Sequence, residues 1–300
     1  MKTLFKEYID FYFEYKKTEL KSSSLHKYKG ILNNYIYPYF GNLSPKEANN
    51  IHNIRKFLLN IHNQSIKGEL SSKFIKDIVS VLRGCLDEAF YDEAIEKNNI
   101  DLLRAIKSQK PEINPFSAKE VKKLLKYSKG WFRVYLFVAF YTGMRTGEIL
   151  ALELKDIDLR SNIISITKTR GKFGVTKPKN LYSIRDIPIF LPLKNVLLEY
   201  TKTCDTQYLF VNQFNKPFNT ASNITKRHFN PLLKKLRLKK RRLYETRHTF
   251  ATNMLDSGKF KVNEISKMLG HANSQMIFNR YTKFIESEKK KNNTLVDVYF

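Results

Sequence analysis

The sequence predicts a mainly α-helical protein in two parts: a helical domain, then a mixed α+β domain with a small antiparallel sheet. Three observations predict it. Apolar residues recur every three or four positions over roughly the first hundred residues, prolines at 111 and 115 interrupt that pattern, and isoleucine-rich runs near 163 and 187 flank a loop bearing Gly171 and Gly174. With 300 residues, 42% of them hydrophobic, the chain can bury one large core or two smaller ones.

In the first part, Phe74, Ile75, Ile78, Val79, Leu82, Leu86, Ala89 and Phe90 form one helical stripe. The segments 3–19, 22–38 and 45–62 share that period, with Gly41 and Ser44-Pro45 as breakers, which gives four or five helices over residues 1–107. The polar stretch from Ser108 to Pro115 resists helix at its two prolines, so residues 108–115 read as a linker. Ser117 and Glu120 have the spacing of a capping box that opens the next helix.

The second domain covers residues 116–282. After apolar helices it holds strands at Ile163–Ile166 and Ile184–Ile189, then helices near 192–201, 221–236, 246–256, 261–269 and 273–282. Residues 283–300 form a tail that ends in Leu295-Val296-Asp297-Val298-Tyr299-Phe300. That apolar end is costly to leave in water.

Composition narrows the partner. Against 28 acidic side chains stand 54 basic ones, a formal charge of +26 with a pI near 9.8, as expected of a protein that neutralises phosphates. Residues 1–112 carry 18 basic and 14 acidic groups, residues 113–300 carry 36 and 14, so the second part should grip the polyanion. Two cysteines, Cys85 and Cys204, exclude a disulfide framework and a cysteine metal cluster within one chain. The apolar run Val134–Tyr141 is far short of the roughly 18 residues of a membrane span, and the start lacks a secretory apolar segment. A soluble, cytoplasmic protein associated with the nucleoid is expected.

Four separated segments could carry chemistry. Arg145 lies in Thr142-Gly143-Met144-Arg145-Thr146-Gly147-Glu148, where one helix ends in glycine and another begins. There a guanidinium beside a helix N-terminus would receive a phosphate, or would simply pair with Glu148 three residues on. In Tyr244-Glu245-Thr246-Arg247-His248 the first tyrosine and Arg247 share a helix face while His248 points elsewhere. Gly270-His271 marks a helix end, and Tyr281 follows ten residues later. Taken singly, His271 reads as a core or capping histidine and Tyr281 as a packing residue.

Two basic runs accompany them. From Lys226 to Arg242, nine basic and no acidic side chains are interleaved with leucines. From Lys168 to Arg185 there are six basic groups and no acid. The first reads either as a solvated face or as contact to DNA backbone, which gives affinity more than sequence choice, and the second reaches a groove or phosphates. The candidate contacts are Lys168, Arg170, Lys172, Lys177, Arg185, Lys226, Arg227, Lys239, Lys240, Arg241 and Arg242.

The ordered set Arg145, Tyr244-x-x-Arg247-His248, Gly270-His271 and Tyr281 resembles the signature of the tyrosine recombinases, the phage-integrase family of site-specific DNA recombinases. The resemblance covers most of the chain, and it implies that the tail 283–300 docks on a neighbouring protomer, the alternative being its own domain. It implies a SAM-like helical core-binding domain followed by the family's catalytic domain. By it the two family arginines fall on Arg145 and Arg247, the later histidine on His271 and the nucleophile on Tyr281. Tyr244 stands where the family more often has histidine. The stretch Thr176–Pro188 looks like the family's lysine-bearing β-hairpin, and spacing to Arg185 favours Lys179 over Lys177.

These residue types suit the implied chemistry. A tyrosine can store a phosphodiester as a phosphotyrosyl ester. Two arginines can clamp the non-bridging oxygens of a pentavalent transition state, so no metal or other cofactor is required. Lys179 is the candidate acid for the leaving 5′ oxygen. His271 either donates to the scissile phosphate or handles the proton of Tyr281, and Tyr244 either presents its hydroxyl to the same phosphate or simply packs its ring.

The expected activity is strand cutting at two specific sites through a 3′-phosphotyrosyl link, exchange through a Holliday junction and resealing by four protomers. Accessory DNA-bending or directionality factors are compatible with it. Integration or excision of a mobile element is the leading role, with a Xer-like dimer resolvase as the alternative. More distant rivals are a type IB topoisomerase, which needs no site, and a DNA-binding relic without catalysis.

Overall fold

The computed structural model describes residues 3–68, 70–103, 112–178, 180–275, 277 and 281. Lys179, residues 108–111 of the expected linker, half of the expected helix 273–282 and the tail 283–300 lie outside them. The chain forms two compact units, Met1–Pro111 and Glu112–Phe300.

The first unit is all helix: α1 (Phe5–Glu19), α2 (Ser22–Ile31), α3 (Tyr37–Phe40), α4 (Pro45–Ala48), α5 (Ile51–Ile66) and α6 (Ser72–Tyr91). Helices α2 and α3 are joined by a π-helical segment, Leu32–Ile36, just before Pro38. Proline has no N–H to donate four residues back, and a wider turn upstream accommodates the gap. Where periodicity predicts one helix over 45–62, the structure has two, because buried Asn49 spends its side chain on the Lys97 carbonyl and on the Asn99 N–H. Ile75, Ile78, Leu82, Leu86 and Ala89 of the α6 stripe are buried with Phe5, Ile9, Phe40 and Phe57, while Phe90 is exposed.

The second unit opens with α7 (Ala118–Tyr127). Its first turn is closed by the expected capping box, with the Glu120 N–H donating to Ser117 Oγ and the Ser117 N–H to Glu120 Oε2. Helix α8 (Gly130–Thr142) is apolar on nearly every face and runs through the core, and α9 (Thr146–Ala151) follows it. Next come β1 (Ile157–Asp158), β2 (Ile163–Ile166), β3 (Thr169–Gly171), β4 (Gly174–Thr176) and β5 (Arg185–Pro188). Strands β1, β2 and β5 form an antiparallel sheet in that order, with Ile164 opposite Ile187 and Ile166 opposite Arg185. The glycine loop between the two predicted strands is itself a hairpin, β3 with β4.

Helices α10 (Leu191–Thr201), α11 (Ser222–Ile224), α12 (Asn230–Lys235), α13 (Glu245–Asp256) and α14 (Val262–Leu269) complete the unit. A second π-helical segment, Thr225–Phe229, precedes Pro231 and divides the helix expected over 221–236. Its cause is the same missing proline N–H. Among the described residues no helix is long and apolar enough to cross a membrane.

Two helix ends position everything that follows. Helix α8 stops at Gly143 and α14 at Gly270, both left-handed, with φ of 62° and 65°. A Cβ at Gly143 would meet Phe250 Cδ1 at 2.4 Å and Leu269 Cδ2 at 2.9 Å. Gly143→Ala therefore combines backbone strain with overpacking. It should destabilise the second unit by about 2–4 kcal/mol in urea unfolding, and unchanged stability would contradict the packing described.

Candidate active site

Arg247, on the first turn of α13, is 2% exposed. Its Nη1 donates to the Gly143 carbonyl at 2.8 Å, beyond the end of α8, and Nη2 donates to the Leu269 carbonyl at 2.7 Å, the last residue of α14. Helix-end carbonyls lack intrahelical donors and carry partial negative charge, so they can host a buried cation. Burial lowers the guanidinium pKa to about 10, with Tyr244 opposing the shift and Arg145 adding to it, and Arg247 stays charged at neutral pH.

Nη2 of Arg247 also lies 2.9 Å from His271 Nε2. A guanidinium has no acceptor, so Nε2 accepts and the imidazole proton sits on Nδ1.

Glu148 ties the next layer together. This buried carboxylate accepts from Arg145 Nη1 (2.8 Å) and Arg185 Nη1 (3.3 Å) on one oxygen, and from the Arg145 N–H (2.9 Å) and Arg185 Nη2 (3.0 Å) on the other. Arg145 further donates to the Gly270 carbonyl at 3.2 Å, and its side chain is 35% exposed. The pairing with Glu148 is thus real, and it fills the N-terminus of α9 instead of leaving it open. Burial alone would raise the Glu148 pKa, but the hydrogen bonds and charge of Arg185, then those of Arg145, hold it below the ordinary value.

Tyr281 is 1% exposed, packed with Phe250, Ile265, Leu269 and Ile277. Its hydroxyl lies 2.7 Å from His248 Nδ1. Tyr244, just before α13, is half-buried and meets the His248 ring edge to face at 5.2 Å between centroids. His248, expected to point elsewhere, is therefore the link between Tyr244 and Tyr281. The signal was available, since residues four apart on a helix are neighbours.

The basic residues divide into two groups. Lys172, Lys177, Lys226, Arg227, Lys239 and Lys240 are exposed. Others read as DNA contacts are used by the fold. Arg185 donates to Glu148, Met268 and Ser183 and is 7% exposed. It shares a strand face with buried Ile187, and that two-residue period was the clue to its inward course. Lys168 bridges Glu153 and Asp156 at 2.9 Å each. Arg241 lies over the Phe116 ring and bonds Asn114 and Glu120, while Arg170 is half-buried over Tyr208. Arg242 is exposed and paired with Glu245. Lys179 lies outside the described residues. Among the described residues no group of three or more His, Cys, Asp or Glu could hold a metal.

Comparison with known proteins identifies the family. Residues 115–288 match the Phage integrase family, and residues 4–47 match the phage integrase N-terminal SAM-like domain. A tyrosine recombinase XerC-like protein of Caldanaerobacter subterraneus subsp. tengcongensis is 27% identical over 92% of this chain and 78% of its own length. The ICEBs1 integrase of Bacillus subtilis is 25% identical over 88% and 74%.

Among solved structures, the Tn1549 transposon integrase in complex with transposon right end DNA superposes with a TM-score of 0.77 at 19% identity, covering 97% of this chain and 99% of that one. A lambda integrase tetramer bound to a Holliday junction gives 0.72 at 19% identity, over 91% and 78%. Fold and family match together define a tyrosine recombinase, an enzyme class that breaks and rejoins DNA strands. The chain belongs to the phage integrase family.

Removing the Glu148 charge tests the layer beneath the site. Glu148→Gln leaves Arg185 buried without its counter-charge and should cost about 3–5 kcal/mol at pH 7. Because the folded carboxyl is held low, its contribution is present above the unfolded pKa of about 4.3 and is lost as pH falls through the folded value. Urea unfolding should show the gap between wild type and variant narrowing toward pH 3. Equal stability at pH 7 would contradict the assignment.

Proposed function

We propose that this chain is a site-specific recombinase whose nucleophile is Tyr281. One observation carries the reading: the Tyr281 hydroxyl is held on α13 at the residue next to buried Arg247, which in turn bonds His271. Tyr281 Oη attacks the scissile phosphorus to form a 3′-phosphotyrosyl link. Arg145 and Arg247 bind the non-bridging oxygens and stabilise the charge of the transition state. His271 donates its Nδ1 proton to the same phosphate. Lys179 protonates the departing 5′ oxygen.

Tyr244 serves mainly to pack against His248, with its hydroxyl near the phosphate. The exposed Lys172, Lys177, Lys226, Arg227, Lys239 and Lys240 hold the DNA backbone. Four protomers on two duplexes exchange strands through a Holliday junction, in the cytoplasm on nucleoid DNA. Residues 1–107 bind the core site, and the tail 283–300 joins protomers. Likeness to the ICEBs1 and Tn1549 integrases favours a mobile element as the setting, and likeness to the XerC-like protein supports dimer resolution as the second reading.

The test uses a duplex selected by this protein from a random-sequence pool, with nicks tiled along one strand, incubated in EDTA. Wild type should form a covalent protein–DNA band. Tyr281→Phe should bind the duplex equally and form none. Arg247→Lys, which cannot reach both helix-end carbonyls and a phosphate, should slow the band by about 10²–10³-fold. A band that persists in Tyr281→Phe, or one abolished by EDTA, would refute the reading.

A further inference from the structure

The phenol of a tyrosine nucleophile must lose its proton as it attacks, and the roles above leave that proton without a destination. The 2.7 Å contact between Tyr281 Oη and His248 Nδ1 supplies one. We propose that His248 is the catalytic base for Tyr281, taking the phenol proton during cleavage and returning it during rejoining. This rests on Tyr281 being the nucleophile.

The other polar groups of the site are poor candidates. The His271 Nε2 lone pair already accepts from Arg247 and is not open to a second proton donor. Arg145 and Arg247 are cations with no acceptor. The Glu245 carboxylate is taken up by the guanidinium of Arg242 and the Asn114 N–H. Tyr244 presents a ring edge to His248 and offers another phenol. His248 has an sp² nitrogen in hydrogen-bonding range of the attacking oxygen, and it is fixed on the first turn of α13 beside Arg247. Geometry of this kind is the first requirement of a general base.

The step balances. The Oη–P bond forms, the P–O5′ bond breaks, the phenol proton passes to His248 Nδ1, and the 5′ oxygen takes a proton from the acid on the hairpin side. On rejoining, the incoming 5′ hydroxyl returns its proton to that acid, the P–Oη bond breaks, and the imidazolium gives its proton back to Oη. Both residues are buried, Tyr281 at 1% exposure and His248 at 2%, so packing fixes the two rings against each other.

His248→Asn places an amide atom where Nδ1 stands, preserving a hydrogen bond without a basic nitrogen. Once the cut is mapped on the selected duplex, single-turnover adduct formation is measured with the natural 5′ oxygen and with a 5′-bridging sulfur, which leaves without an acid. His248→Asn should bind DNA as wild type does and slow the adduct by about 10²–10⁴-fold, with either leaving atom. Installing 3-fluorotyrosine at position 281, a more acidic phenol, should recover about tenfold or more of the loss, whereas a purely positional defect would stay.

An unchanged rate in His248→Asn, a defect that vanishes with sulfur, or no recovery with the fluorinated phenol would each overturn the proposal. If the variant fails to bind, wild type with the sulfur duplex decides: slowing in D2O by about twofold or more supports proton transfer to a base, and no slowing overturns it. A wild type that forms no adduct overturns the Tyr281 reading as well, while a wild-type adduct with an unaffected variant overturns this inference alone.

Discussion

A full positive charge lies almost completely inside this protein, on Arg247, and the second unit is arranged around satisfying it. Three helices meet at that guanidinium: α13 supplies it, and α8 and α14 supply the carbonyls that accept from it. An unpaired buried charge would cost several kcal/mol. The left-handed glycines at 143 and 270 end those helices beside it, and at Gly143 a side chain would collide with Phe250 and Leu269. Stability and function are therefore tied to the same contacts, because the groups that neutralise the arginine also fix where its remaining donors can point.

The second layer extends the same logic. Glu148 accepts from both Arg145 and Arg185, so a carboxylate organises two cations whose mutual repulsion would otherwise open the site. Arg145 keeps a third of its side chain exposed while held at one end, the exposure that the proposed phosphate-binding role requires. Such fixed donors need little reorganisation when charge develops on phosphate, which is where electrostatic catalysis gains most. Arg185 lacks that exposure and acts as the strut that connects β5 to the end of α14.

Much of this was legible in the sequence, and what was not has physical reasons. The helical stripe of α6, the Ser117 capping box and the isoleucine strands depend on local period and local hydrogen bonds, so they could be read directly. The spacing of Arg145, Arg247, His271 and Tyr281 could not say what they bond: Arg247 touches His271, Arg145 bonds the Gly270 carbonyl, and Tyr281 meets His248 beside Arg247. Charge was the misleading signal. Lys168, Arg185 and Arg241 count toward the basic total exactly as Lys239 does, yet their counter-charges lie at distant sequence positions such as Glu153, Glu148 and Glu120. His248 stands in the second box of the spaced signature but was given no role of its own, because its partner is 33 residues away. The π-helical segments before Pro38 and Pro231 escaped because proline signals an interruption without saying how the backbone absorbs it.

The central claim is that this arginine-centred assembly presents Tyr281 to a phosphate as the attacking group. Its most direct test is mass spectrometry of the covalent complex after nuclease and trypsin digestion. The account predicts a nucleotide joined through its 3′ phosphate to the tryptic peptide Tyr281-Thr282-Lys283. A nucleotide found on any other residue, Tyr244 included, would contradict it.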